Sequence, residues 1–163
     1  LRRKGRKEGA SRRGRRVRFI HKLSIGGGNM TYEEMYALAC KNLAPQDYSE
    51  HCSAGDVSAV IEGANGKYYT GVNIDLACGL GYCAERNAAG SMVTDGERVA
   101  RRIVCVDRRQ GLMTPCGSCR EFLMLLSPQN ADTEFLIGLS PLRTARLKEL
   151  LPHWWETFGQ PQK

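Results

Sequence analysis

The chain has 163 residues, of which 42% are hydrophobic and 25% are charged, a size that favours one domain. It contains no run of 18 apolar residues, which excludes an ordinary transmembrane helix. The net charge of +7 is at first sight typical of a protein that binds nucleic acid.

The positive charge lies almost entirely at the start of the chain. Residues 1–29 contain eleven Lys or Arg and one acidic residue, whereas residues 30–163 contain thirteen basic and sixteen acidic residues. Because the first segment is rich in Gly, Ser and Arg, we expect it to be disordered and separate from a domain over 30–163. We also expect the native chain to begin at Met30. A nucleic-acid-binding arm and a targeting peptide are the alternatives for the first segment.

The domain over 30–163 alternates helices with strands. Thr31 and Glu34 have the spacing of a capping box, which predicts a helix that ends near Leu43, before a loop over 44–55. Two strands and the Gly-rich turn between them then predict a β-hairpin. The predicted elements after that loop are strands over 57–61 and 68–72, a helix over 83–93, a strand over 102–106, a helix over 116–126, a strand over 134–138 and a helix over 144–151. This order predicts an α/β fold, a three-layer α/β/α sandwich around a mixed sheet.

Four of the seven cysteines have no predicted chemical role. Cys40 and Cys105 lie in apolar patterns of a helix and a strand, so we expect them in the core. Cys52 and Cys78 lie in predicted loops. The odd number of cysteines, together with the lack of a signal-peptide pattern, favours reduced thiols and a cytoplasmic protein.

The other three cysteines have the pattern of a metal site. Cys116 and Cys119 form a Cys-x-x-Cys motif at a predicted helix start, where the helix dipole favours thiolates. Cys83 begins another predicted helix and can supply a third ligand. Three thiolates would leave one tetrahedral position of Zn²⁺ open to water, as catalytic zinc requires. The alternatives are a redox dithiol, a structural zinc site with a further ligand, and three buried structural cysteines without a metal.

Glu85 lies two residues after Cys83, on the first turn of the same predicted helix. A carboxylate at this place can face a zinc-bound water without binding the metal, and can carry the proton of that water. Cys-Ala-Glu followed by Pro-Cys-x-x-Cys is the signature of zinc deaminases. The guanidinium of Arg86 can offset the negative charge of zinc with three thiolates, although an exposed helix arginine is an equal alternative.

At these motifs the sequence resembles the free-nucleoside branch of the cytidine deaminase family, which includes the blasticidin-S deaminases. The resemblance covers roughly residues 48–152 and rests on four segments, which are 69–73, 81–88, 115–121 and 150–152. It implies a cytidine-deaminase-like fold with a five-stranded mixed sheet, one Zn²⁺ per subunit and a homotetramer. It also implies a cytoplasmic role in pyrimidine salvage.

The resemblance implies a role for several individual residues. The matching positions are Cys83, Cys116 and Cys119 for zinc, Glu85 for proton transfer, Ala84 for the pyrimidine carbonyl, Asn73 for the ribose and Arg86 for charge balance. Asp75 stands where cytidine deaminases usually have Glu, so the second ribose ligand is one methylene shorter.

At one further place the sequence departs from the family pattern, and at another it allows two interpretations. The Phe that usually packs on the pyrimidine is absent, and Gly55 or a neighbour occupies its place. The aromatic residues Trp154, Trp155 and Phe158 stand where family members reach into a neighbouring subunit. A hydrophobic anchor for the end of the chain is the alternative.

The sequence therefore predicts a zinc-dependent hydrolase that converts cytidine or deoxycytidine to uridine or deoxyuridine and releases ammonia. A blasticidin-S-type or modified-nucleoside deaminase is one alternative, and a zinc-stabilised nucleoside-binding protein is another. We expect a small-molecule nucleoside as partner, without nucleic acid or membrane. The net charge of −3 over residues 30–163 makes that domain poorly suited to a phosphate backbone.

Overall fold

The computed structural model describes residues 28–154. Most of the predicted disordered segment 1–29, and Trp155 and Phe158, therefore lie outside the described residues. The helices and strands in chain order are α1 (Tyr32–Asn42), β1 (Gln46–Ser49), β2 (Cys52–Gly63), β3 (Tyr68–Leu76), α2 (Ala84–Thr94), β4 (Ala100–Asp107), α3 (Gly117–Leu126), a 3-10 helix (Pro128–Asp132), β5 (Glu134–Leu139), β6 (Leu142–Arg146) and α4 (Leu147–Leu150).

The strands form one mixed sheet. Antiparallel pairs join β3 to β2, β2 to β4 and β5 to β6, while β4 and β5 run parallel. The short strand β1 pairs with the start of β2, where Gln46 is opposite Ala54, and β4 pairs with the rest of β2 from Val57 onward. Since β3 occupies the other edge of β2, β1 and β4 follow one another along the same edge. The sheet is therefore five strands wide, as predicted, with β1 as an additional short segment.

Alternating side chains of the strands pack against helices on both faces of the sheet. On one face, Val60 and Val104 are fully buried against Met35 of α1. On the other face, their neighbours Ile61 and Cys105 are buried in the core to which α2 and α3 contribute. Because successive residues of a strand point to opposite faces, this alternation gives the predicted three-layer α/β/α sandwich.

The first helix begins where the capping-box pattern predicts. The amide of Glu34 donates to the hydroxyl oxygen of Thr31 at 3.2 Å, and the amide of Thr31 donates to the Glu34 carboxylate at 2.7 Å. These two bonds satisfy amides that have no partner within the helix. Helix α1 then ends at Asn42, one residue before the predicted boundary.

Two strands were not predicted from the sequence. Strand β1 lies within the predicted loop over 44–55, and β6 occupies the start of the predicted helix over 144–151. Residues 142–146 have a helix-compatible composition, but they pair with β5, where Thr144 is opposite Leu136 and Ala145 is opposite Phe135. Sheet pairing thus overrides local helix preference, and α4 begins only at Leu147.

The close approach of α2 to β3 depends on Gly71. A Cβ atom at this position would lie 2.3 Å from the backbone nitrogen of Ala88 and 2.6 Å from the carbonyl oxygen of Ala84. Only a residue without a side chain permits this contact between strand and helix. The contact fixes the first turn of α2, which carries the predicted site residues, directly against the sheet.

Candidate active site

The three predicted metal ligands lie together at the starts of two helices. Cys83 is the N-cap of α2, Cys116 is the N-cap of α3, and Cys119 lies on the first turn of α3. The Sγ atoms of Cys83 and Cys116 are 3.5 Å apart, as are those of Cys116 and Cys119, and all three lie within 4.8 Å of one another. Tetrahedral zinc with Zn–S bonds of about 2.3 Å places its sulfurs about 3.8 Å apart. The three thiols therefore fit a zinc ion.

Hydrogen bonds from Arg120 hold the loop before α3 in place. Its Nε donates to the carbonyl oxygen of Pro115, and its Nη1 donates to the carbonyl oxygen of Leu150, both at 2.8 Å. The guanidinium thus joins the start of the thiol-bearing helix to the end of α4. Such a fork of donors holds two main-chain segments in fixed relation.

The three thiols differ in their electrostatic environments. Burial raises the pKa of the Cys83 thiol and, more strongly, that of the Cys119 thiol. Burial also acts to raise the pKa of Cys116, but hydrogen bonds from the Cys119 amide and from the neighbouring thiols lower it below its usual value. The exposed N-cap thiol is therefore the most acidic of the three.

Glu85 is buried on the first turn of α2, with 4% of its surface exposed. Burial raises the pKa of its carboxyl group, while its own backbone amide, the Cys119 thiol and the charge of Arg86 act to lower that pKa. A carboxyl group with a raised pKa exchanges protons more readily near neutral pH. Glu85 lines the same cavity as Cys83 and Cys116.

One cavity connects most of the predicted site residues. Its volume is about 430 Å³, which is within the range of small-ligand sites. The predicted residues in its wall are Asn73, Asp75, Cys83, Ala84, Glu85, Arg86 and Cys116. Cys119 is fully buried behind them, in contact with Cys116.

Arg86 also lines this cavity and is half-buried. Its guanidinium carbon lies 5.9 Å from the centre of the Tyr82 ring. Its Nε atom is buried and has no hydrogen-bond partner. A buried guanidinium donor without a partner costs free energy, so this group is suited to a negative charge bound in the cavity.

Asn73 and Asp75 lie on β3 and line the same cavity. The Asn73 side-chain oxygen accepts from the backbone amide of Val57 at 2.7 Å, and its Nδ2 donates to the Asp75 carboxylate at 2.7 Å. The register between β2 and β3 shifts between Ala54 and Ser58, so the Val57 amide binds a side chain instead of a strand. Asn73 therefore joins the two strands at a bulge.

Several residues in the cavity wall had no role assigned from the sequence. Val57, Cys105 and Met113 contribute apolar surface, and Thr114 adds a hydroxyl group. Cys105 is buried, as predicted, and lines the cavity as well. Its alternation with Val104 on β4 was the available signal, since it places Cys105 on the sheet face that carries α2.

Position 55 has no room for a side chain that could take the place of the missing Phe. Gly55 has φ = +88°, and a Cβ atom there would lie 2.2 Å from the carbonyl oxygen of Ala44. Val57 and Met113 contribute apolar surface to the cavity, and the aromatic ring in its wall is that of Tyr82. At the other end of the chain, Trp154 packs against the core of its own subunit.

Within residues 28–154 no helix has the length and apolar character needed to cross a membrane.

The fold and the cluster of thiols define the class of protein, which is an α/β/α domain with a three-thiol metal site. Residues 30–131 match the family described as the cytidine and deoxycytidylate deaminase zinc-binding region. The chain belongs to this family.

Individual relatives agree with this assignment. A probable cytidine deaminase from Dictyostelium discoideum is 38% identical over 81 residues, which are 47% of this chain and 54% of the relative. The chain thus spans about half the length of that relative. A blasticidin-S deaminase from Bacillus cereus is 33% identical over 106 residues, which are 59% of this chain and 74% of the relative.

A solved structure has the same fold. The crystal structure of a mutant cytidine deaminase from Mycobacterium tuberculosis matches with a TM-score of 0.63 at 25% identity. The match covers 77% of this chain and 94% of the solved chain. This likeness agrees with the predicted α/β fold and its mixed sheet.

Proposed function

We propose that the protein hydrolyses the exocyclic C–N bond of free cytidine or deoxycytidine. Water replaces the amino group at C4, which gives uridine or deoxyuridine and ammonia. The observation that carries this proposal is that three clustered thiols and the buried carboxyl group of Glu85 lie at one cavity. A structural metal site has no need for such a carboxyl group.

Zinc is the metal that we propose for this site. Cys83, Cys116 and Cys119 would hold it, because their sulfurs already have the separations that tetrahedral coordination requires. When bound, zinc supplies a Lewis acid that makes a water molecule acidic near neutral pH. Arg86 lies in the same wall and would balance the excess negative charge of three thiolates.

Glu85 would carry the protons of the reaction. Its carboxylate accepts a proton from the attacking water and donates it to N3 of the pyrimidine ring. The same carboxyl group then assists transfer of a proton to the departing amino group, which leaves as ammonia. One residue can serve both transfers because its burial brings the pKa nearer to neutrality than that of an exposed carboxyl group.

The other predicted residues would orient the nucleoside. The backbone amide of Ala84 would donate to the pyrimidine carbonyl, and Ala84 is fully buried in the cavity wall. Asn73 and Asp75 would contact the sugar hydroxyls. Asn73 also accepts a hydrogen bond from the backbone amide of Val57, so part of its contribution to binding would be to position the strand beside the sugar.

A blasticidin-S-type or modified-nucleoside deaminase is the second candidate, supported by the match to a Bacillus cereus blasticidin-S deaminase. Asp75 favours a sugar with hydroxyl groups, because its exposed carboxylate can accept from them. Glu85 disfavours a nucleoside-binding protein without turnover, because a metal site that is only structural has no need for this carboxyl group.

We further propose a cytoplasmic homotetramer, active in pyrimidine salvage, whose catalytic domain is residues 30–163. Exposed apolar side chains near the cavity support contact with other subunits, because large exposed apolar residues often mark interfaces. These residues are Leu80, Tyr82 and Met113. Light scattering coupled to gel filtration measures the oligomeric state, and a monomer would contradict this part of the proposal.

The decisive experiment is ammonia release from purified protein loaded with zinc. Cytidine, deoxycytidine, blasticidin S and cytosine serve as parallel substrates. We expect release from cytidine or deoxycytidine at a far higher kcat/KM than from blasticidin S. A preference for blasticidin S would establish the second candidate, and release from none of them would favour the binding protein.

A further inference from the structure

The side chain of Arg120 links the loop before α3 to the end of α4. Arg120 lies on α3 directly after Cys119, which is fully buried. Its Nε donates to the carbonyl oxygen of Pro115, and its Nη1 donates to that of Leu150, each at 2.8 Å. Pro115 precedes the N-cap Cys116, and Leu150 is the last residue of α4. One guanidinium therefore binds two main-chain segments that are far apart in the sequence.

Arg120 holds the peptide groups on both sides of Cys116. The carbonyl oxygen of Pro115 belongs to the same planar peptide group as the backbone nitrogen of Cys116, and the guanidinium binds that oxygen. The backbone amide of Arg120 donates to the carbonyl oxygen of Cys116 at 3.0 Å, which holds the next peptide group. With both planes held, the φ and ψ angles of Cys116 are fixed. The direction in which its thiol projects from the backbone is then fixed as well.

The other end of this link is a firmly packed helix. Leu147 is fully buried, and the amide of Leu151 donates to its carbonyl oxygen at 2.9 Å. At the start of α4, the amide of Arg146 donates to the Glu149 carboxylate at 2.8 Å. The last carbonyl groups of a helix have no partner within it, so that of Leu150 can accept from a side chain. Helix α4 thus offers Arg120 a fixed acceptor.

The guanidinium of Arg120 is engaged with the main chain and not with an acidic side chain. Within residues 28–154, no carboxylate lies within 4.0 Å of it. A donor that carries charge binds an acceptor more strongly than a neutral donor does. Arg120 is half-buried and does not line the active-site cavity, so it is placed to act on the site only through the backbone.

We propose that Arg120 is a positioning residue for the metal site and that α4 controls the retention of zinc through it. This inference rests on the zinc site of the proposed function. Arg120 would touch neither zinc nor substrate, and would act by fixing the backbone of Cys116. Without the guanidinium, the peptide groups around Cys116 could turn, and its sulfur would leave the metal more often. Replacing residues that orient metal ligands typically changes metal affinity about 10-fold to 100-fold.

The test measures how fast zinc leaves the full-length, zinc-loaded protein. An excess of a colorimetric chelator binds the released zinc, and no substrate is present. We expect Arg120→Gln to release zinc about 10-fold to 100-fold faster than the wild type, because Gln cannot span both carbonyl groups. Arg120→Lys keeps the charge but lacks the fork of donors, so its rate should lie between the two. Equal rates in the wild type and Arg120→Gln would overturn the inference.

Asn130→Ala is the matched control for a loss of stability away from the thiols. The Asn130 side chain accepts from the amide of Ala100 and donates to the carbonyl oxygen of Leu123 on α3. Its loss therefore weakens the C-terminal half of the same helix. We expect Asn130→Ala to lower the free energy of unfolding at least as much as Arg120→Gln, with zinc release near the wild-type rate. If zinc release follows the loss of stability in both variants, Arg120 is a structural residue only and the inference fails.

A second substitution tests whether α4 acts through Arg120. Leu151→Pro removes the amide that binds the Leu147 carbonyl oxygen. It also forces Leu150 out of the helical conformation, so that the Leu150 carbonyl group moves away from Arg120. Leu151→Pro should speed zinc release from the wild type but add nothing in Arg120→Gln, where the link is already broken. Additive effects of the two substitutions would contradict the role of α4.

Zinc release does not depend on turnover, which separates this inference from the proposed function. If no cytidine substrate releases ammonia, the proposed function fails, while the order of the zinc-release rates still supports or overturns the role of Arg120. A wild-type protein that binds no zinc would overturn both.

Discussion

The side-chain oxygen of Asn73 accepts a hydrogen bond from the backbone amide of Val57, with a distance of 2.7 Å between the two atoms. The bond joins β3 to β2 where the register of the two strands shifts, and 7% of Asn73 is exposed. One residue thus has two expected functions, because it closes a bulge and faces the proposed sugar site. Replacement should affect folding stability as well as binding.

Asn73→Ala should lower the free energy of unfolding by about 1–3 kcal/mol, since it leaves the Val57 amide without its partner. It should also raise KM for cytidine. Asp75→Ala is the matched control, because Asp75 is exposed and does not contact Val57. It should raise KM with a smaller change in stability, measured by urea denaturation. Equal stability of Asn73→Ala and the wild type would contradict the role of Asn73 at the bulge.

The candidate site could be predicted from the sequence because its main signals are local. Cys83 and Cys116 each precede a helix, and the spacing from Cys116 to Cys119 fixes two thiols on one turn. Glu85 follows on the first turn of α2. The spacing within each motif depends on helix geometry alone, whereas the meeting of Cys83 with Cys116 was indicated by the two-part deaminase signature. The thiol cluster confirms that the two motifs meet.

Features that depend on contacts between residues far apart in the sequence could not be predicted from such local patterns. The helix-like composition of residues 142–146 gives no sign that they pair with β5. The contact of Gly55 with Ala44 likewise depends on how the segment before β1 folds back over β2. The apolar wall from Val57 and Met113 follows from the same long-range packing, so the identity of the residues around the pyrimidine could not be read from the sequence.

Glu85→Gln should abolish turnover and keep the metal. The amide has nearly the same shape as the carboxyl group but cannot carry protons, so kcat should fall at least about 100-fold. Zinc content, measured by mass spectrometry of the metal, should stay at one ion per subunit. Glu50→Gln removes an exposed carboxylate outside the cavity and is the matched control, with kcat unchanged. Loss of zinc from Glu85→Gln would show that Glu85 is a metal ligand.

Cys116→Ala should remove the metal. Two thiols cannot complete the site, so the zinc content should fall from about one ion per subunit to near zero, together with ammonia release. Thermal stability should also fall, because metal binding is linked to folding of the surrounding segment. Cys78→Ala is the matched control, since Cys78 is an exposed cysteine outside the cluster. Full zinc content in Cys116→Ala would refute the three-thiol assignment.

Two glycine-to-alanine substitutions should have opposite effects on stability. In Gly71→Ala the new methyl group would meet the backbone of Ala88 at 2.3 Å, so α2 must move away from β3. We expect a loss of about 1–3 kcal/mol in the free energy of unfolding, and lower kcat because α2 carries Glu85. Gly90 lies exposed on α2 with nothing within 4 Å, so Gly90→Ala should stabilise by about 0.5–1 kcal/mol. Equal stabilities of the two variants would contradict the close contact.

Glu97 should make folding stability depend on pH in the acidic range. Its carboxylate accepts hydrogen bonds from the backbone amides of Asn65, Arg98 and Val99, at 2.8–2.9 Å. Burial acts to raise its pKa, but the three amides and the charge of Arg98 lower the pKa below its usual value of 4.5. A carboxyl group whose pKa is lowered on folding stabilises the folded state above its unfolded pKa. That stabilisation is lost as the pH falls through the lower folded value.

Glu97→Gln should therefore be less stable than the wild type at neutral pH, with a difference that shrinks in acid. Urea denaturation from about pH 6 to about pH 3 measures this difference. Glu121→Gln is the matched control, because Glu121 lies on α3 and makes no contact with these three amides. A Glu97→Gln difference that stays constant across the range would mean that the three amides bind the charged and the neutral carboxyl group equally well.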